Sequence, residues 1–361
     1  MGLYPQIVLN KDGIADNARK VLQMGIDHEV SITPVVKSLA GHLPVIRSIV
    51  DQARSMGIDA VADSNLAFVR KYQNLDVNKW MIREPMLSEI PELVELTDLS
   101  LVSERITLER INEYCTAHDE PYSVILMAEI GDLREGSDEE EIIQLAQCVE
   151  MMPHVHLAGI GANLSCYGNI LPSCTNMGDL IKKAELVQGA LGRELEIVSG
   201  GNSSSLHMLR EGALPSAVNN LRCGESIMLG RLPCYEEDIE ELQQDTAILE
   251  AEIVELKNKP SLPWGKSGNG DAFGGIPQFA DKGIRRRALV AIGRQSIYLD
   301  GLIPVDPGVE ILGGASDYIV CDVTDSSEKY DVGSVIQFMC DYAALASAAT
   351  HDYLFPVRDR D

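Results

Sequence analysis

Chemistry needs a nucleophile, a charge or a set of donors held in one place, and this chain offers each at the end of an apolar run. Lys37 closes TPVVK. A lysine there can be desolvated, which lowers its pKa and exposes an amine able to form an imine with an aldehyde. The alternative is a lysine that snorkels into solvent. Two later segments suit an anion. SGGNSSS, residues 199–205, follows one apolar run and opens a helix, and LRCGES, residues 221–226, follows the next. Their glycines let the backbone approach closely, and free N–H groups with hydroxyls can bind phosphate. Neither segment is a Walker A or GxGxxG motif, so nucleotide binding has little support. Asp63, Arg83, Asn163, Ser199 and Arg222 also end apolar runs, and Arg134 lies in the loop 131–136. The plainer reading of the arginines is ion pairing, Arg222 with Glu225 or Asp63 and Arg134 with Asp132 or Glu135.

Something must bring these residues to one rim. Before residue 225, eight Val/Ile/Leu-rich runs recur, at 30–37, 59–63, 79–83, 99–103, 122–130, 156–163, 194–199 and 217–223. They are continuous rather than alternating, as strands buried on both faces are. Amphipathic stretches lie between them, at 43–56, 103–117, 137–151 and 176–191. Eight alternations predict a (β/α)8 TIM barrel, with a doubly wound sheet as the alternative, and chemistry at the carboxyl ends of the strands. Residues 6–10 form an earlier apolar piece, leading into a helix at 12–22. Near residue 235 the pattern changes to strands at 246–256, 287–292, 318–323 and 334–338, broken by turns and a Gly-rich stretch at 265–275. The expected domains are a barrel over 1–235, with residues 1–11 able to pair with the second domain, and a C-terminal all-β domain over 236–361.

The chain has 361 residues, 30 Lys+Arg and 55 Asp+Glu, for a net charge of −25, and 45% of its residues are hydrophobic. That is a globular composition, not a disordered one. Without a basic excess, nucleic acid and anionic membranes are poor partners. No run is long enough to span a bilayer. The opening MGLYPQIV lacks signal-peptide regions, and Gln6 stands where a myristoylation motif wants Ser or Thr. The eight cysteines form no CxxC pair, and the seven histidines form no HExxH or cluster. Reduced thiols in a cytoplasmic protein and no dedicated metal site are expected. Acidic runs at 138–141 and 236–238 read as exposed faces.

Taken in order, these motifs resemble pyridoxal-phosphate enzymes of the alanine racemase type, and within them the ornithine racemase-like amino-acid racemases. The resemblance covers almost the whole chain. TPVVKSLAGH resembles the segment bearing the Schiff-base lysine, which implies Lys37. EIGDLREG, residues 129–136, is similar to the family's DTGMxRxG segment, which implies Arg134 beside the cofactor's phenolic oxygen and the substrate carboxylate. GGNSSS implies Asn202 and Ser203 at the phosphate, with Ser199 and Asn163 beside the cofactor. LRCGES implies Arg222 facing the pyridine nitrogen, and Gly224 and Glu225 giving backbone N–H to phosphate. MIREPM and NLSCYG, at 81–86 and 163–168, resemble the ornithine racemase-type subgroup.

There are departures from the family's pattern. Asn163 stands in place of a family histidine, and the carbamylated-lysine region has no match. The second-domain GYxDG segment, with its catalytic tyrosine, corresponds in order to 291–295, which puts Arg294 there; a Tyr-x-Asp-Gly follows at 298–301.

The resemblance implies racemisation by Cα proton abstraction and return, on ornithine, lysine or a broad range of amino acids, with Lys37 as one acid/base. An arginine at the pyridine nitrogen donates but does not accept a proton, which limits stray transamination. The second acid/base is drawn from Cys166, Tyr167, Asp317 and Tyr318. A homodimer with shared sites is implied. The rivals are a fold-related decarboxylase, for which Cys321-Asp322 is the pointer, a pyridoxal-phosphate carrier, and a barrel aldolase using Lys37 alone.

Overall fold

A computed structural model describes residues 4–235, 237–351 and 358–359. The chain forms two compact units, Lys11–Gln244 and a second made of Met1–Asn10 with Asp245–Asp361.

The first unit is a parallel barrel. Its strands are Ser31–Pro34, Ala60–Asp63, Asn78–Met81, Leu99–Val102, Tyr122–Met127, Val155–Gly161, Ile197–Ser199 and Asn220–Cys223. From Ala60–Asp63 onward each pairs with the next, and the eighth pairs with the first. A parallel bridge between Val35 and Ala62 closes the ring, with the Val36 N–H donating to the Ala62 carbonyl at 2.8 Å. Val35, Ala62, Trp80, Leu99, Leu101, Ile125, Met127 and Ala158 fill a core cluster within it, which explains why the runs read as unbroken apolar stretches.

The helices form where one apolar stripe can be buried. Lys11–Asp27 buries Ile14, Ala18, Val21, Leu22 and Gly25, a spacing of three and four residues. Gly25 is obligatory, because a Cβ there would sit 2.4 Å from the Val30 carbonyl oxygen. The acidic run at 138–141 is the capped first turn of helix Glu139–Glu150. Asp138 accepts from the Glu141 N–H at 2.9 Å, and three glutamates follow it, charges that suit a helix N-terminus.

The second unit is an antiparallel sheet whose central strand is Ala247–Pro260. It pairs with Val335–Cys340, with Ile284–Val290 and, at its start, with Gln6–Leu9, so that Gln6 opposes Glu250. Ile319–Asp322 and Glu310–Gly314 continue the sheet on one side and Leu302–Pro304 on the other. The central strand runs past residue 256 because its charged end still pairs, up to Pro260 opposite Ile284. A helix, Tyr342–Ala349, joins the sheet, capped by Asp341 accepting from the Ala344 N–H at 2.8 Å.

Candidate active site

Lys37 opens a short 3-10 turn, Lys37–Leu39, directly after the first barrel strand, and is half-buried. The Val35–Ala62 bridge brings it beside Asp63 at the end of the neighbouring strand. Asp63 is 0% exposed. Its Oδ1 accepts from the N–H groups of Ser64 at 2.7 Å and Asn65 at 3.1 Å, and its Oδ2 accepts from the Tyr72 hydroxyl at 3.2 Å. Burial pushes the Asp63 carboxyl up to about 6, although these donors and the nearby Lys37 charge act the other way. Arg83, one strand further, is spent on structure. It donates to the Ser64 carbonyl at 3.0 Å and pairs with Glu89 at 2.8 Å.

Arg222 is 2% exposed. It donates to the Ser199 hydroxyl, to the Ala162 carbonyl at 2.7 Å and to the Asn163 side-chain oxygen at 2.8 Å. All three acceptors are neutral. Burial brings the guanidinium down to about 10, which leaves it a cation at neutral pH. Ser199, expected at the cofactor, is instead fully buried behind Arg222. Its hydroxyl donates to Asn220 at 2.5 Å, and Asn220 donates to Thr33 at 3.0 Å. Asn163 faces two ways. Its oxygen receives Arg222, and its amide donates to Glu135 at 2.6 Å. Glu135 also takes two hydrogen bonds from Arg134, whose pKa that contact raises. The plainer expectation for Arg134, a pair with Glu135, is therefore present. Arg222 makes its contacts to neutral oxygens.

The two late loops are tied together by Ser203. Its hydroxyl oxygen accepts from the N–H groups of Gly224 at 3.1 Å and Ser226 at 3.2 Å. Gly224 is a close fit, since a Cβ would come within 3.1 Å of Val35. Asn202 caps the turn after it, accepting from the Ser204 N–H at 2.8 Å, and donates to Cys166 Sγ at 3.2 Å. Glu225 follows Gly224 as the first residue of helix Glu225–Leu229. Arg222 lies near the carboxyl-terminal end of strand Asn220–Cys223, and Lys37, Asn163, Asn202, Ser203, Gly224 and Glu225 follow the carboxyl-terminal ends of barrel strands.

Cys166 and Tyr167 lie in a loop organised by Asp132, which is 2% exposed and accepts from the N–H groups of Cys166, Tyr167 and Gly168 at 3.0–3.3 Å. Tyr167 is 75% exposed, while Cys166 is held by Asn202. The motifs named Asp132 and Glu135 only as partners for Arg134 and passed over Tyr72 and Asn220. For Asn220 the available signal was an amide set in an apolar strand, where it must find partners.

The remaining candidates belong to the second unit. Asp317 accepts from Gln295 at 2.9 Å, Tyr318 is exposed, and Arg294 donates to the Gly314 carbonyl at 3.1 Å. Cys321-Asp322 is committed to the sheet, the cysteine fully buried and the aspartate paired with Arg285 at 2.6 Å. Among the described residues no helix is long and apolar enough to cross a membrane, and no group of three or more His, Cys, Asp or Glu is arranged to hold a metal ion.

Known proteins share this layout. The chain is 39% identical over 353 residues to an ornithine racemase of Acetoanaerobium sticklandii, covering 98% of this chain and 99% of that one. It is 37% identical over 355 residues to a lysine racemase of Thermotoga maritima, covering 98% of each. Among solved structures, an alanine racemase from Streptomyces coelicolor superposes with a TM-score of 0.71 at 17% identity, covering 98% of this chain and 97% of that one, which shows the fold. The family model described as alanine racemase, N-terminal domain, matches residues 9–231. A barrel matched from end to end, together with relatives alike over nearly their whole length, means that the chain belongs to the alanine racemase family.

Proposed function

We propose that this chain interconverts the L and D forms of a basic amino acid, ornithine or lysine, with pyridoxal phosphate held at the carboxyl-terminal rim of the barrel. The chain is an amino-acid racemase. The observation that carries this reading is its similarity over 98% of its length to an ornithine racemase and a lysine racemase. The donor set fits the cofactor. A buried guanidinium is bonded to neutral oxygens, an amine stands on the same rim, and two loops closely fitted at Gly224 meet through Ser203.

Pyridoxal phosphate, joined to the Lys37 amine, would supply the electron sink that acidifies Cα. Asn202, Ser203 and the backbone of Gly224 and Glu225 would hold its phosphate, and Arg222 its ring nitrogen, kept in place by Ser199 and Asn163. Arg134 would orient the substrate carboxylate, exchanging part of its pairing with Glu135 for it. Lys37, once released, takes and returns the Cα proton on one face. On the opposite face the candidates are Cys166 and Tyr167, both exposed, with the Cys166 sulfur accepting from Asn202. Asp317 and Tyr318 would act from a second copy of the chain, which makes a homodimer part of the proposal. A cytoplasmic setting is proposed from eight cysteines, none in a disulfide.

The test is incubation with each L-amino acid in D₂O, reading chirality and Cα deuterium together. Exchange with loss of optical activity is expected, fastest with ornithine or lysine. Carbon dioxide release instead would select the decarboxylase, and no Cα exchange with any amino acid would sink the assignment.

A further inference from the structure

Asp63 has no exposed surface and takes no part in the reaction described above. Burying an ionisable carboxylate is costly unless its charge meets a need. The needs of the fold here are modest, since the two backbone N–H groups meet Oδ1, which an asparagine keeps, and the Tyr72 hydroxyl could turn to accept from an asparagine amide. What an asparagine could not supply is a negative charge beside Lys37. The Val35–Ala62 bridge sets the two side chains on adjacent strand ends, and Asp63 feels the Lys37 charge. The other ionisable groups here are Tyr72, bonded to Asp63 Oδ2, and Arg83, committed to Ser64, Glu84 and Glu89.

We propose that Asp63 is a positioning residue, the counter-charge that stabilises Lys37 as an ammonium at the moment it accepts the Cα proton. When Nζ takes that proton it gains a positive charge, and a fixed carboxylate across the rim favours that state without touching the substrate. The inference rests on the reading of Lys37 as the proton-transferring amine.

The experiment is competitive acetylation of the full-length chain over a pH series, after displacement of bound cofactor with hydroxylamine. Lys37 is read by peptide mass spectrometry against exposed Lys257. Asp63→Asn is expected to make Lys37 acetylate several-fold faster, relative to Lys257, than in the wild type. In the loaded enzyme, kcat should fall more than KM rises. Should Asp63→Asn not fold, Asp63→Ser, which removes the charge with a smaller side chain, is expected to speed Lys37 labelling in the same direction. A Lys37 to Lys257 labelling ratio unchanged by loss of the carboxylate would overturn the proposal. The labelling needs no cofactor, so absence of a displaceable cofactor would count against the site reading and leave this result standing.

Discussion

Arg222 and Arg285 are both drawn into the protein, and they are treated in opposite ways. Arg285, in the second unit, is paired with Asp322 and Asp325. Burial alone would raise the Asp322 carboxyl, yet Arg285 and Thr324 hold it below the usual range. Arg222, in the barrel, is more deeply buried, and the oxygens that receive it at Ser199, Ala162 and Asn163 are neutral. A cation matched in place by a carboxylate holds strands together. A cation received by neutral oxygens, with the Glu135 carboxylate acting on it without a direct pair, is matched less closely.

The contrast can be broken by exchanging what each arginine is expected to lose. Arg222→Met should cut racemisation at least about 100-fold, the usual scale for removing a positioned charge, while its melting temperature moves less than that of Arg285→Met. Arg285→Met leaves Asp322 beside no cation, and a lower midpoint in denaturant unfolding is expected, with activity per folded molecule intact. If Arg285→Met proved the more damaging to turnover, the division of roles would be wrong.

Asp63 sharpens the contrast from the anionic side. Its folded-state value is raised to about 6, so its ionisation disfavours folding. That penalty is absent at acid pH, where the group is neutral in both states, and grows as pH rises from about 4 to about 6. Asp63→Asn should therefore gain up to about 3 kcal/mol over wild type at about pH 8 and almost nothing at about pH 4, read from thermal melts at matched ionic strength. A gain that did not change with pH would point to packing rather than charge.

The barrel was legible because parallel strands buried on both faces are largely apolar, and each of the eight runs contains or overlaps one strand. Their ends were less so. The run 30–37 holds a strand only over Ser31–Pro34, because the chain then turns at Lys37. The second unit was harder to read. Strand Ile284–Val290 carries three arginines in a row, of which Arg285 finds its carboxylate at Asp322, 37 positions on, and Glu310–Gly314 ends in a Gly-Gly pair that reads as a turn. The helix at 342–349 is mostly alanine and shows almost no amphipathic contrast. In the site, single residues at strand ends could be read one by one. Their partnerships could not, since Asn163 reaches Glu135 across 28 positions and Asp132 holds a loop 34 to 36 positions away.

The strand Gln6–Leu9 has its antiparallel partner at 247–250, and this sets an order of events during synthesis. The first strand to leave the ribosome must wait, unpaired, while some 240 residues follow, and the barrel assembles in the interval. The barrel in turn stays open until residues 220–223 emerge to meet Ser31–Pro34. A fragment stopping at 235 would still lack Gln243, whose N–H and carbonyl both bind Asn17. An independently folding barrel is therefore expected from 11–244 and not from a cut at 235.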